Sequence, residues 1–154
     1  MPRIPRVRRS TEKEDLLTSI VEGKPFELIA SALTFAAALG YAQGRRVPLA
    51  NVDQGNNIRW EIFQNDGAVL AGMIAAGATD EIEIVAPDRV EDRIEILEEY
   101  ANGGLEILSE EIAARGARTP REVVLDLVLE AETTSPSGEL DLSVLAEEWS
   151  GKGE

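Results

Sequence analysis

Apolar residues recur at helical spacing along most of this chain. Leu16, Leu17, Ile20 and Val21 mark one face of a first helix. Thr11-x-x-Glu14 is its capping box, and Gly23 and Pro25 end it. From Phe26 to Leu39 the apolar positions spread all round: Phe26, Leu28, Ile29, Leu33, Phe35 and Leu39 alternate with alanines. Such a segment belongs at the centre of a core, with Gly40 as its C-cap. Residues 68–78 predict a small-residue helix, weakened by Gly72 and Gly77. Val90, Ile94, Leu97 and Ala101 stripe a helix over 88–100, which Asn102-Gly103-Gly104 interrupts. Leu105, Leu108 and Ile112 restart a helix that ends at Gly116, with Glu111 and Arg115 paired one turn apart. Thr119-Pro120-Arg121-Glu122 is the strongest start signal: an N-cap Thr, Pro at the first helical position and Glu at the third. Its helix is expected to reach about Ala131.

Two other periodicities stand out. Ile58-Arg59-Trp60-Glu61-Ile62-Phe63 alternates and is rich in strand formers, and Val47–Leu49 offers a short partner, so a small β-hairpin is expected. Thr79 to Ala86 reads equally as strand or turn. The expected fold class is mainly α, a single helical domain with that hairpin. Residues 1–10 form a basic extended arm, 11–132 the helical body, and 133–154 a linker (TTSPSG) with a short amphipathic segment in a flexible acidic tail.

Charge sharpens this division. The 154 residues carry 15 Lys+Arg and 29 Asp+Glu, for a net charge of −14. Residues 1–79 hold 9 basic and 8 acidic groups, residues 80–154 hold 6 and 21. The acidic body repels nucleic acid and membrane surfaces at long range, so cationic contacts must be local. Arg3, Arg6, Arg8 and Arg9 on the arm, with Arg45 and Arg46 in a Gly-containing loop, are the candidates for phosphate contact. The competing reading is that the arm is a disordered tail or packs on the chain's own acids. Leu140, Leu142, Leu145 and Trp149 are the partner-docking candidates, and they serve equally well to cover the chain's own core.

Several chemistries are excluded or weak. The chain has no Cys and no His, so thiolate nucleophiles, Cys-ligated clusters, imidazole ligands and Ser-His-Asp triads are ruled out. No phosphate-cradling glycine loop is present. The carboxylates of 80–99 suit a solvated helix face better than a Mg²⁺ nuclease site, so neither metal nor cofactor is assigned. A helix-turn-helix reading of the first two helices is disfavoured: 26–39 has no Lys or Arg to reach bases, and core packing explains it better. Trp60 and Tyr100 suit core packing better than base stacking. No stretch is long and apolar enough to span a bilayer, no signal region follows the arginines, and a cytoplasmic location without membrane partners is expected.

Three blocks together carry a family resemblance: Leu33-Thr34-Phe35-Ala36-Ala37-Ala38-Leu39-Gly40-Tyr41 with Gly44-Arg45-Arg46 and Pro48; Ile58 to Phe63; and Glu98-Glu99-Tyr100-Ala101-Asn102-Gly103-Gly104-Leu105. Over about residues 8–115 the chain resembles the DNA phosphorothioation-associated (Dnd system-associated) protein 4 family. The resemblance implies a bacterial gene beside the machinery that places sulfur on DNA phosphates, or beside its restriction partners. It carries no catalytic residues. Lacking Cys, the chain cannot be the sulfur donor or the iron–sulfur component; lacking a P-loop, it is not the ATPase. The expectation is a non-enzymatic accessory protein bound to protein components of such a system, with a DNA-contacting module as the alternative and a carboxylate-metal nuclease a distant third.

Overall fold

The computed structural model describes residues 5–22, 29–52, 57–63 and 66–134. The fold is mainly α with a small two-stranded antiparallel sheet. Its helices are α1 (Glu14–Glu22), α2 (Ile29–Ala42), α3 (Asp66–Thr79), α4 (Val90–Ala114) and α5 (Pro120–Thr134). Its strands are β1 (Arg6–Val7) and β2 (Ile58–Arg59). Among the described residues no helix is long and apolar enough to cross a membrane.

The core is built on the crossing of α2 and α4. Helix α2 buries Ala30, Ala32, Leu33, Ala36, Ala37 and Gly40. Against it α4 buries Leu97, Ala101, Leu105 and Leu108, among others. Small side chains let two backbones approach closely. A Cβ on Gly104 would collide with the backbone carbonyl of Ala36, one on Gly40 with the carbonyl of Tyr100, and one on Gly103 with the carbonyl of Arg45. These glycines therefore sit inside the helices, against the sequence expectation of a break at Asn102-Gly103-Gly104 and a cap at Gly40. A helical glycine costs about 1 kcal/mol in propensity. Burying one Leu returns about 1.5–3 kcal/mol, so tertiary packing overrides the local penalty.

The real stops are glycines in the left-handed region. Gly44 (φ 68) ends α2 in a Schellman arrangement: the Arg45 N–H donates to the Gly40 carbonyl at 2.8 Å and the Gly44 N–H to that of Tyr41 at 3.1 Å. Gly116 (φ 61) follows α4. Helix α5 opens on the expected capping box. The Thr119 N–H donates to Glu122 Oε2 at 2.8 Å, and the Glu122 N–H to Thr119 Oγ1 at 3.2 Å. Val123, Val124 and Leu127 turn its inner face to α1 and α4.

Two local expectations are corrected. The Thr11–Glu14 box does not form: a 3₁₀ turn over Thr11–Lys13 leads into α1, Ser10 caps nothing with its side chain, and Glu14 pairs with Arg9. The hairpin partner is also different. Val47–Leu49 is no strand; Val47 donates its N–H to the Glu99 carbonyl, and Asn102 Nδ2 donates to the carbonyls of Val47 and Pro48. Instead the N-terminal arm supplies the second strand, with Arg6 opposite Arg59 and Val7 opposite Ile58. Only Ile58–Arg59 is extended, and Trp60–Phe63 coils into a 3₁₀ turn that buries Phe63 and leaves Ile62 exposed. The ambiguous stretch after α3 becomes 3₁₀ turns over Ile82–Val85 and Pro87–Arg89.

Candidate functional site

The arginine arm is positioned by strand alternation. Successive residues face opposite sides of a sheet, so Val7 enters the core (1 % exposed) and Arg6 and Arg8 face away from it. Arg8 lands on α4. Its backbone N–H donates to Glu98 Oε2 at 2.5 Å; its Nε reaches Oε2 and its Nη2 reaches Oε1, both at 3.1 Å. This forked grip holds a carboxylate whose side chain is only 2 % exposed. Burial pushes the Glu98 carboxyl above its ordinary pKa, and the Arg8 bonds pull it back without prevailing. The bonds it donates to Glu98 raise the Arg8 guanidinium in turn.

Arg9, Arg45 and Arg46 are also held by carboxylates. Arg9 is buried and pairs with Glu14. Arg45 Nη1 donates to Glu110 at 2.9 Å and Arg46 Nη2 to Glu99 at 2.7 Å. The Arg46 guanidinium also lies 5.7 Å from the centre of the Tyr100 ring, and that ring meets Tyr41 edge-on at 5.4 Å. Arg6 is exposed, and no ion pair joins it to the described residues. Arg59, missed by sequence reasoning, stands opposite it in register and is exposed as well. Its signal was its place in the alternating segment, but its neighbour across the sheet was unknown. Arg3 and the docking candidates Leu140, Leu142, Leu145 and Trp149 lie outside the described residues.

The blocks that carried the family resemblance meet in space. Gly40 touches Tyr100, Ala36 touches Gly104, and the loop of Arg45 to Pro48 is tied to α4 through Glu99, Asn102 and Gly103. The pattern encodes one helix crossing and the loop clamped on it. Trp60 stacks on Phe63 at 5.7 Å, half-buried against the core. Among the described residues no three carboxylates converge as a metal site would need.

The described residues also form concavities, of which two bear on function. A cleft of about 270 Å³ runs between the arm and α4, with Arg6 and Arg8 on one wall and Glu91, Glu95 and Glu98 on the other. Arg8 and Glu98 answer each other across it, while Arg6, Glu91 and Glu95 join no ion pair among the described residues. A groove of about 400 Å³ lies between α3 and the following 3₁₀ turn, lined by Val69, Met73, Ile82 and Val85. Sequence reasoning read this stretch as a small-residue helix and did not see the groove. No curated protein and no solved structure matches the chain. A family model, however, matches residues 6–145, which include the crossing, the clamped loop and the arm strand, and by that match the chain belongs to the DNA sulphur modification system-associated protein 4 family.

Proposed function

We propose that this chain is a non-enzymatic accessory protein that docks onto a protein component of a DNA sulphur modification system, or of a restriction system acting on the modified DNA. One observation carries the reading: cations and apolar groups are disposed as a protein-binding surface requires. Arg8, Arg9, Arg45 and Arg46 already hold the chain's own carboxylates. Large apolar side chains stand in solvent, on α3 and the turn after it and on α5, where Leu125 and Leu129 are 47 % and 59 % exposed. Large apolar side chains exposed together, as on the two sides of the α3 groove, are a mark of protein association. The test is co-production of the tagged chain with each other protein of such a system, followed by affinity capture. One component should co-purify at a fixed ratio through a salt wash; recovery of none refutes the reading.

The second reading is a module that contacts the DNA backbone. Its support is the Arg6–Arg59 pair, two exposed guanidinia in register with no carboxylate bonded to either among the described residues. Like charges directly opposed across a sheet are unfavourable, and an anion between them relieves the repulsion.

A further inference from the structure

Helix α3 has no charged residue between Asp66 and Asp80. Ala71, Ile74 and Ala75 are buried, as befits a helix apolar on every side. Yet Val69 and Met73 are 63 % and 65 % exposed, and across the groove Ile82 and Val85 are 70 % and 46 % exposed. Gly72 lies between them, where a Cβ would sit 3.6 Å from Val85 Cγ1, in ordinary contact. Helical spacing aligns Asp66, Val69, Met73 and Ala76 on one stripe of α3, and Asp80 follows just past the helix end with left-handed backbone (φ 58), so an acid stands at each end of the apolar segment. Glu83, exposed, adds a third between Ile82 and Val85.

Those three carboxylates form no ion pair with the described residues. The neighbouring guanidinia are engaged elsewhere. Arg93 donates to the carbonyls of Ile84 and Ala86 at 2.7 and 2.8 Å, and Arg89 holds Asp92 and Glu81. The groove thus has an apolar floor, Arg93 in its lining with its guanidinium held by two carbonyls, and three exposed acids, unpaired among the described residues, on the two segments that form it.

We propose that this groove docks a basic amphipathic helix of a partner protein, its apolar side chains at three- and four-residue spacing seated on Val69, Met73, Ile82 and Val85, its lysines or arginines reaching Asp66, Asp80 and Glu83. The proposal rests on the accessory reading and names the partner's chemistry. A second copy of the chain is disfavoured because a two-fold interface would set the same acids against each other. The chain's own segment 139–149 is disfavoured for the same reason: it carries Glu139, Asp141, Glu147 and Glu148 and no base.

The test uses the full chain, methyl-labelled for NMR, and three synthetic 18-residue peptides. One places Leu on a single helical face with Lys elsewhere, one replaces its Lys by Glu, and one scrambles the Leu/Lys order. The Leu/Lys peptide should shift the methyls of Val69, Met73, Ile82 and Val85. It should bind at least about tenfold more tightly than either control, and Met73→Lys should weaken it by a similar factor. Met73 is exposed, so the variant should melt as the wild type does. Equal binding of the Glu or scrambled peptide, shifts elsewhere, or self-association abolished by Met73→Lys overturns the proposal. A system protein that co-purifies equally well with Met73→Lys leaves the accessory role standing and removes the groove from it. Groove binding of the Leu/Lys peptide with no system protein captured does the reverse.

Discussion

Replacing Gly104 with Ala should destabilise the protein, although intrinsic helix propensity says the opposite. In an open helix the change stabilises by about 1 kcal/mol. At Gly104 the new methyl would collide with the carbonyl carbon and oxygen of Ala36, and the Cα of Ala36 lies 3.0 Å away. These are backbone atoms of α2, so no rotamer change relieves the overlap. The helices must separate, and Leu33, Leu97 and Leu105 lose contact around the crossing. Overpacking of this kind costs about 1–3 kcal/mol, and more when backbone is involved. A net loss of about 2 kcal/mol or more is expected, a fall in Tm of roughly 5–10 °C for a domain of this size. Gly72→Ala is the matched control. Its nearest foreign atom would be Val85 Cγ1 at 3.6 Å, ordinary contact, so it should raise stability by up to about 1 kcal/mol. Thermal and urea unfolding of both variants read the difference. An unchanged or raised Tm for Gly104→Ala would refute the close crossing.

Other perturbations test other contacts. Thr119→Ala should cost about 1 kcal/mol by removing one arm of the capping box that opens α5, read by urea unfolding. Arg8→Ala should cost about 1–3 kcal/mol at neutral pH, because it leaves the buried Glu98 carboxylate with only the backbone N–H of residue 8. Glu98 binds its proton more tightly in the fold than in the unfolded chain, so its contribution is fully present below its ordinary value of 4.5 and is lost as pH rises through the raised folded value. Glu98→Gln should therefore flatten the fall of Tm with pH above 4.5, and Arg8→Ala should steepen it.

How far these features were legible from sequence depended on how local their causes are. The α5 capping box is complete within four residues, and it was read correctly. So was the largely apolar character of α2, because no charged residue from Ile29 to Ala42 competes for a wet face. The continuity of α4 was not legible: Asn102-Gly103-Gly104 is a breaker by local propensity, and only the backbones of Arg45 and Ala36, far off in sequence, explain why glycines are needed there. The sheet was legible as a β element but not as a pairing, since two two-residue strands separated by some fifty residues leave no register signal. The arginines were seen as an electrostatic feature. Their partners, Glu98 for Arg8 and Glu110 for Arg45, are set by where α4 passes, which no local pattern specifies. The groove escaped notice because Val69 and Met73 have the spacing of core residues; only the fold leaves them outside.

The account turns on whether these arginines hold the chain's own carboxylates or a nucleic-acid backbone. Fluorescence anisotropy of matched DNA duplexes, with and without phosphorothioate, titrated with the protein across a salt series, puts that directly. The accessory reading predicts no binding to either duplex even at low salt. Salt-sensitive binding with a log-log slope of about −2, lost in the Arg6→Ala, Arg59→Ala double variant, would contradict it and make this a DNA-contacting module.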